Sequence, residues 1–96
     1  MSIQITEQAI AAFNSNRNFR LSNTEVKADA TGTYLYLFGN LIARKVGNRV
    51  QVTLCGYNTV TTRERLNGIY GVSCTTKKGQ AYINGKPVSN TEWVQV

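Results

Sequence analysis

The sequence predicts an α+β domain: a small antiparallel β-sheet meander with an N-terminal helix on one face and a short helix after the third or fourth strand. Two observations carry the sheet. Gly39-Asn40 and Gly47-Asn48 each put a turn-forming pair between segments of strand-like composition, and the first glycine of each pair suits a two-residue hairpin turn. A third observation carries the helices. Ala9, Ile10, Ala12 and Phe13 recur at helical spacing, and further on Thr61, Glu64 and Gly68 stand where a short helix needs its cap, its reciprocal partner and its end.

In chain order, a helix is expected from Ile3 to about Asn14, capped by Thr6 with Glu7 in its first turn, its apolar stripe lying on the sheet. Residues 14–23 are rich in Asn and Ser and read as a loop anchored by Phe19 and Leu21, with Arg17 and Arg20 extending a basic surface. Thr24 to Ala28 alternates as a short strand. Counting outward from the two turns pairs Phe38 with Leu41, Tyr36 with Ala43, Ala43 with Val52 and Leu41 with Leu54. The core face then holds Tyr34, Tyr36, Phe38, Leu41, Ala43, Val50, Val52 and Leu54. The opposite face, with Leu35, Leu37, Ile42, Arg44, Gln51 and Thr53, is too apolar to be left to water and calls for the later strands, a second copy or a ligand. Ile69 to Thr76 and Gln80 to Asn84 form a further pair across Lys77-Lys78-Gly79, with Val72, Cys74, Ala81 and Ile83 on one side. Pro87 confines its own segment to an edge or a loop, and Trp93 to Val96 ends the chain as an edge strand.

Composition limits the function. The chain has 96 residues, enough for one domain that buries about 60 to 65% of its unfolded surface, so self-association as a homo-oligomer is expected. Eleven Lys and Arg against five Asp and Glu give a net charge of +6, which favours nucleotides, nucleic acid or another anionic partner. Histidine is absent, which removes the usual general base and the Ser-His and Cys-His pairs, and neither a Walker A sequence nor a dinucleotide fingerprint is present; an enzyme is not expected, nor a cofactor. Cys55 and Cys74 lack metal or redox spacing and read as reduced core residues, with a bridge between them left open. The opening Met-Ser-Ile-Gln-Ile-Thr-Glu has neither a basic n-region nor an apolar h-region, and no window is apolar enough to span a bilayer, so a cytoplasmic protein without membrane contact is expected.

The candidate site is the stretch from Cys55 to Gly68. With Thr61 as N-cap and Glu64 completing a capping box, the helix from Thr62 to Asn67 presents free N–H groups and partial positive charge, an arrangement that favours an anion. Arg63 and Arg65 would meet phosphate, Thr59, Thr61 and Thr62 would supply hydroxyls, and Tyr57 would stack on a base. The plainer alternative is that Thr61 and Glu64 only cap the helix, with the arginines solvated or paired with Glu25, Asp29 or Glu92.

Phe38-Gly39-Asn40-Leu41-Ile42-Ala43, the Gly56 to Gly68 stretch and Lys78-Gly79-Gln80-Ala81-Tyr82-Ile83-Asn84-Gly85 resemble a group of small phage-encoded proteins with a G-[WY]-x-T-x-T-T-R-x-R-L-N motif. Tyr57 stands where that group usually has tryptophan. The resemblance covers about the last sixty residues and implies a role against host defence, one class of which forms oligomeric sponges for cyclic nucleotide signals such as those of CBASS. The leading expectation is therefore a non-enzymatic oligomer that binds a cyclic dinucleotide or trinucleotide. A single-stranded DNA or RNA binder and an inhibitor docking on a host defence protein are the alternatives.

Overall fold

The computed structural model describes residues 3–96; Met1 and Ser2, which open the stretch expected to be free of a leader, lie outside them. The chain runs α1 (Ile3–Asn14), β1 (Phe19–Leu21), β2 (Thr24–Ala28), β3 (Thr33–Leu37), β4 (Asn40–Val46), β5 (Arg49–Val52), α2 (Val60–Asn67), β6 (Cys74–Lys77), β7 (Gln80–Ile83), β8 (Lys86–Val88) and β9 (Val94–Gln95). The first five strands form an antiparallel meander, β9 returns to its edge beside β5, and β6-β7-β8 make a second, three-stranded sheet. This is the expected α+β architecture. The short helix comes after the fifth strand because Phe19–Leu21, expected as loop, pairs with β2 through a turn at Ser22 (φ 56°).

The stripe on α1 is buried as expected, with Ala9, Ile10, Ala12 and Phe13 inside. Its start differs: the helix is under way at Ile3, so Thr6 is not its cap and Glu7 falls beyond the first turn. At its far end Lys45 donates from Nζ to the carbonyls of Phe13 at 2.8 Å and Asn14 at 3.3 Å, supplying the cation that the C-terminus of a helix favours. One hydrophobic cluster joins α1, the inner face of the large sheet, Leu66 of α2 and the second sheet.

The expected faces of β3 are exchanged. The hairpin turns on Phe38 (φ 51°) and Gly39 (φ 79°), with Leu37 opposite Asn40, so the connection begins one residue earlier than Gly39-Asn40 would place it. Positive φ at both central residues is the type I′ arrangement whose twist matches the strands. A one-residue slip moves every side chain to the other face. Leu35 and Leu37 point into the core, while Tyr34 and Tyr36 face outward and Phe38 is 71% exposed. On β4 a β-bulge at Ile42, between the pairs Leu35–Ala43 and Tyr36–Leu41, turns Leu41 outward but keeps Ala43 inside. Ala43 does pair with Val52, and Val52 and Leu54 are buried as expected.

In the second sheet Cys74, Ala81 and Ile83 face inward together, again as expected, although β6 begins only at Cys74. The preceding segment is tied to Asn84, just beyond β7, whose side chain accepts from the Ser73 amide at 2.8 Å and donates to the Gly71 carbonyl at 3.0 Å. Pro87 sits in the edge strand β8, and β9 closes the opposite edge of the large sheet.

Candidate functional site

The segment leading into α2 begins with a tight turn. Cys55 (φ 52°) and Gly56 (φ 86°) occupy its centre, and the Tyr57 amide donates back to the Leu54 carbonyl at 2.9 Å. The turn leaves Tyr57 55% exposed. Thr59, with extended backbone (φ −112°, ψ 161°), is the N-cap: its Oγ1 accepts from the Thr62 amide at 3.2 Å and meets Thr62 Oγ1 at 2.9 Å. The cap therefore lies two residues before Thr61, because Thr62 supplies the inward hydroxyl that locks Thr59 in place. Thr61 falls inside the helix. Glu64 does not turn back to a cap amide; its carboxylate accepts from Thr6 Oγ1 at 3.1 Å and pairs with Arg65.

Arg65 runs inward and is 2% exposed. Its Nε donates to Thr24 Oγ1 at 3.0 Å, Nη1 to Thr6 Oγ1 at 2.7 Å and also to Glu64 Oε1, and Nη2 lies 3.4 Å from Asn23 Oδ1. A buried guanidinium requires such partners on every side, and here they come from α1, from α2 and from the β1–β2 turn and β2. The two arginines thus do not share an outward pocket. Arg63 is half-buried and donates from Nη1 to Asn58 Oδ1. Arg65 finds its carboxylate in its chain neighbour Glu64, not in Glu25, Asp29 or Glu92.

The end of α2 has a different cause from the one expected. Gly68 is right-handed (φ −72°), so it does not serve as a left-handed stop. A Cβ there would lie 2.8 Å from Thr6 Cγ2 and 2.9 Å from Ile10 Cγ1, which makes Gly68 a point of close approach between α1 and α2. Asn67 then docks the helix on the second sheet, donating to the Cys74 carbonyl at 2.9 Å and accepting from the Cys74 amide at 2.6 Å. Cys55 and Cys74 are both free thiols, and burial pushes the Cys74 thiol above its ordinary range against a smaller opposing effect of Arg63.

The stretch also builds one wall of a cleft of about 400 Å³. Of the six residues expected to bind ligand, Tyr57, Thr59 and Thr62 line it, whereas Thr61, Arg63 and Arg65 do not. The facing wall is the β3–β4 hairpin, with Phe38 and Asn40, and the floor is Leu37, Ile42 and Leu54. Phe38 is thus a rim residue and not the core residue that strand counting makes it. The signal that could have placed it here is the dipeptide Phe38-Gly39 itself, since a type I′ turn puts its first central residue in water. That position favours Asn, Asp or Gly; a bulky aromatic with positive φ is unusual and is the kind of local cost that collects at functional sites. Two exposed aromatic rings, an apolar floor and a pair of hydroxyls at a helix start form an arrangement suited to a flat, partly polar ring.

Among the described residues no group of three or more His, Cys, Asp or Glu could hold a metal ion, and no helix is long and apolar enough to cross a membrane. The family model described as Kyanoviridae Gp96 protein matches residues 2–96. No curated protein and no solved structure matches the chain.

Proposed function

We propose, from the premise that this phage-encoded chain belongs to the Kyanoviridae Gp96 protein family, that it is a non-enzymatic binding protein that sequesters a small cyclic nucleotide signal of host defence. The observation that carries this reading is Phe38, held at φ 51° and 71% exposed on the rim of a cleft that it shares with Tyr57. A nucleobase is flat, has two apolar faces and carries polar edges; the two rings would take the faces, and Thr59, Thr62 and Asn40 would meet the edge. Each stacking contact contributes about 1 to 3 kcal/mol and each neutral hydrogen bond about 1 kcal/mol, so micromolar affinity, about 8 kcal/mol, also needs the attraction of the ligand's phosphate to the positive charge of the protein.

The phosphate end of the ligand is assigned differently from the sequence expectation. Arg65 is committed to the interior, which leaves the start of α2 and the overall positive charge to favour the anion. Assembly into a homo-oligomer in the host cytoplasm belongs to the same proposal, and Val60 and Tyr70, 58% and 98% exposed, offer apolar surface for it.

Native mass spectrometry after exposure to a pool of cyclic dinucleotides and trinucleotides tests the reading. Retained nucleotide that is lost in Phe38→Asn and in Tyr57→Ala supports it. A folded protein that retains none overturns it, and capture of one host protein instead would favour an inhibitor that docks on that protein.

A further inference from the structure

The register of the large sheet assembles a second surface on its outer face, which adjoins the cleft at Phe38. Tyr34 pairs with Arg44 and with Lys27, Arg44 pairs with Gln51, and Tyr36 pairs with Glu25 and Leu41, so all of these side chains share the outer face. Trp93, just before β9, joins them: the Arg44 guanidinium lies over its ring at 4.1 Å, and Arg44 Nε donates to Gln51 Oε1 at 2.8 Å. Lys27 Nζ sits 5.2 Å from the centre of the Tyr36 ring. None of these side chains is fully buried. By strand alternation Arg20 and Arg49 flank the same face, giving four cations against two carboxylates, Glu25 and Asp29, the second linked to the Tyr34 hydroxyl through Thr31 Oγ1.

We infer that this face binds single-stranded nucleic acid, its bases on Tyr34, Tyr36 and the Arg44–Trp93 stack, and its phosphates on Lys27, Arg20 and Arg49. Aromatic rings on an open sheet, interleaved with cations, offer every base a π-face and every phosphate a counter-charge, which is the chemistry of sequence-tolerant single-strand binding. Cation–π pairs hold Arg44 and Lys27 against the rings, so part of the ordering cost falls before binding. A second copy of this chain is a poorer occupant, because a face with four cations and two carboxylates keeps a net positive charge and repels its own image.

The test uses the wild-type protein and a fluorescein-labelled oligo(dT) series at low and moderate salt. Affinity should rise with oligonucleotide length up to the span of the sheet, and log K should fall with log salt at a slope of about −2 as the three phosphates on Lys27, Arg20 and Arg49 are neutralised. The sole tryptophan, Trp93, should be quenched on binding. Lys27→Gln, at an exposed position, should weaken binding several-fold and make the slope shallower by about 0.7, and Arg44→Gln should weaken it about tenfold and reduce the quenching. Photocrosslinking of wild-type protein to 5-iodouracil-substituted oligonucleotide gives a readout independent of any variant's folding, with adducts expected at Tyr34, Tyr36 or Trp93. Absence of binding at low salt, adducts confined to Phe38 and Tyr57, or a self-associating face that takes no oligonucleotide would each overturn the inference.

Discussion

Arg65 and Thr6, 59 positions apart, meet at 2.7 Å, Nη1 donating to Oγ1. Through that contact the guanidinium closes a ring of polar groups between the two helices, because Thr6 in turn donates to Glu64, and Thr24, which accepts from Arg65, donates to Asn23 at 2.8 Å. The most specific part of the Thr-Thr-Arg-x-Arg-Leu-Asn motif is therefore largely architectural. Thr62 steadies the cap, Arg65 ties α2 to α1 and β2, Leu66 enters the core and Asn67 holds the second sheet.

This network makes a prediction for stability. Arg65→Ala should destabilise the fold by about 3 to 5 kcal/mol, since it removes the cation from the half-buried Glu64 carboxylate and the guanidinium donors from Thr6 and Thr24. Thr24→Val, which removes one neutral acceptor, should cost about 1 to 3 kcal/mol. Urea unfolding monitored by circular dichroism measures both. An Arg65→Ala protein as stable as wild type would mean that the ring is incidental.

The fold class was legible because its determinants are local. Turn residues, an apolar stripe on α1 and alternating strands need only the sequence nearby. The exchange of faces in β3 was not legible, since residue preference favours Gly39-Asn40 as the turn over Phe38-Gly39 with its aromatic at positive φ, and the choice between them moves Leu35, Leu37, Tyr34 and Tyr36 together. Nor could residue type separate the roles of Arg63 and Arg65. Positions two apart on a helix differ by about 200° in direction, and which of them points inward is decided by Thr6 and Thr24, both far away in sequence.

Gly68 supplies a second stability prediction. Gly68→Ala would ordinarily favour a helix end by reducing the freedom of the unfolded chain. Here the added methyl falls under 3 Å from both Thr6 and Ile10 of α1. The helices would have to separate, at about 1 to 3 kcal/mol. A thermal melt of Gly68→Ala should thus show a lower midpoint, and an unchanged or higher one would show that the helices yield freely.

Cys74 gives a prediction that depends on pH. Burial raises its thiol above the ordinary value of 9.0, so the folded state holds the proton more tightly than the unfolded chain does. The resulting stability is present below pH 9, and it is lost as pH rises from there through the higher pKa of the folded state. Comparing wild type with Cys74→Ala at pH 8 and pH 10 isolates this effect from everything the two proteins share. Wild type should lose more stability across the interval than the variant does. At neutral pH, iodoacetamide should modify Cys55, which is partly exposed, well before the buried Cys74.

The last prediction sets stability against binding at one residue. Phe38 holds the first central position of a type I′ turn, where Asn before Gly is the preferred pair. Phe38→Asn should therefore raise stability by about 0.5 to 1 kcal/mol, by relieving a left-handed aromatic and withdrawing an exposed ring from water. If the ring is displayed to stack on a ligand, the same change should weaken cyclic nucleotide binding by about tenfold or more, as the loss of one stacked base would. Differential scanning calorimetry and isothermal titration on the same preparation read both effects. A gain in stability with full retention of binding would remove Phe38 from the site, and a loss of stability would show that Phe38 serves the fold after all.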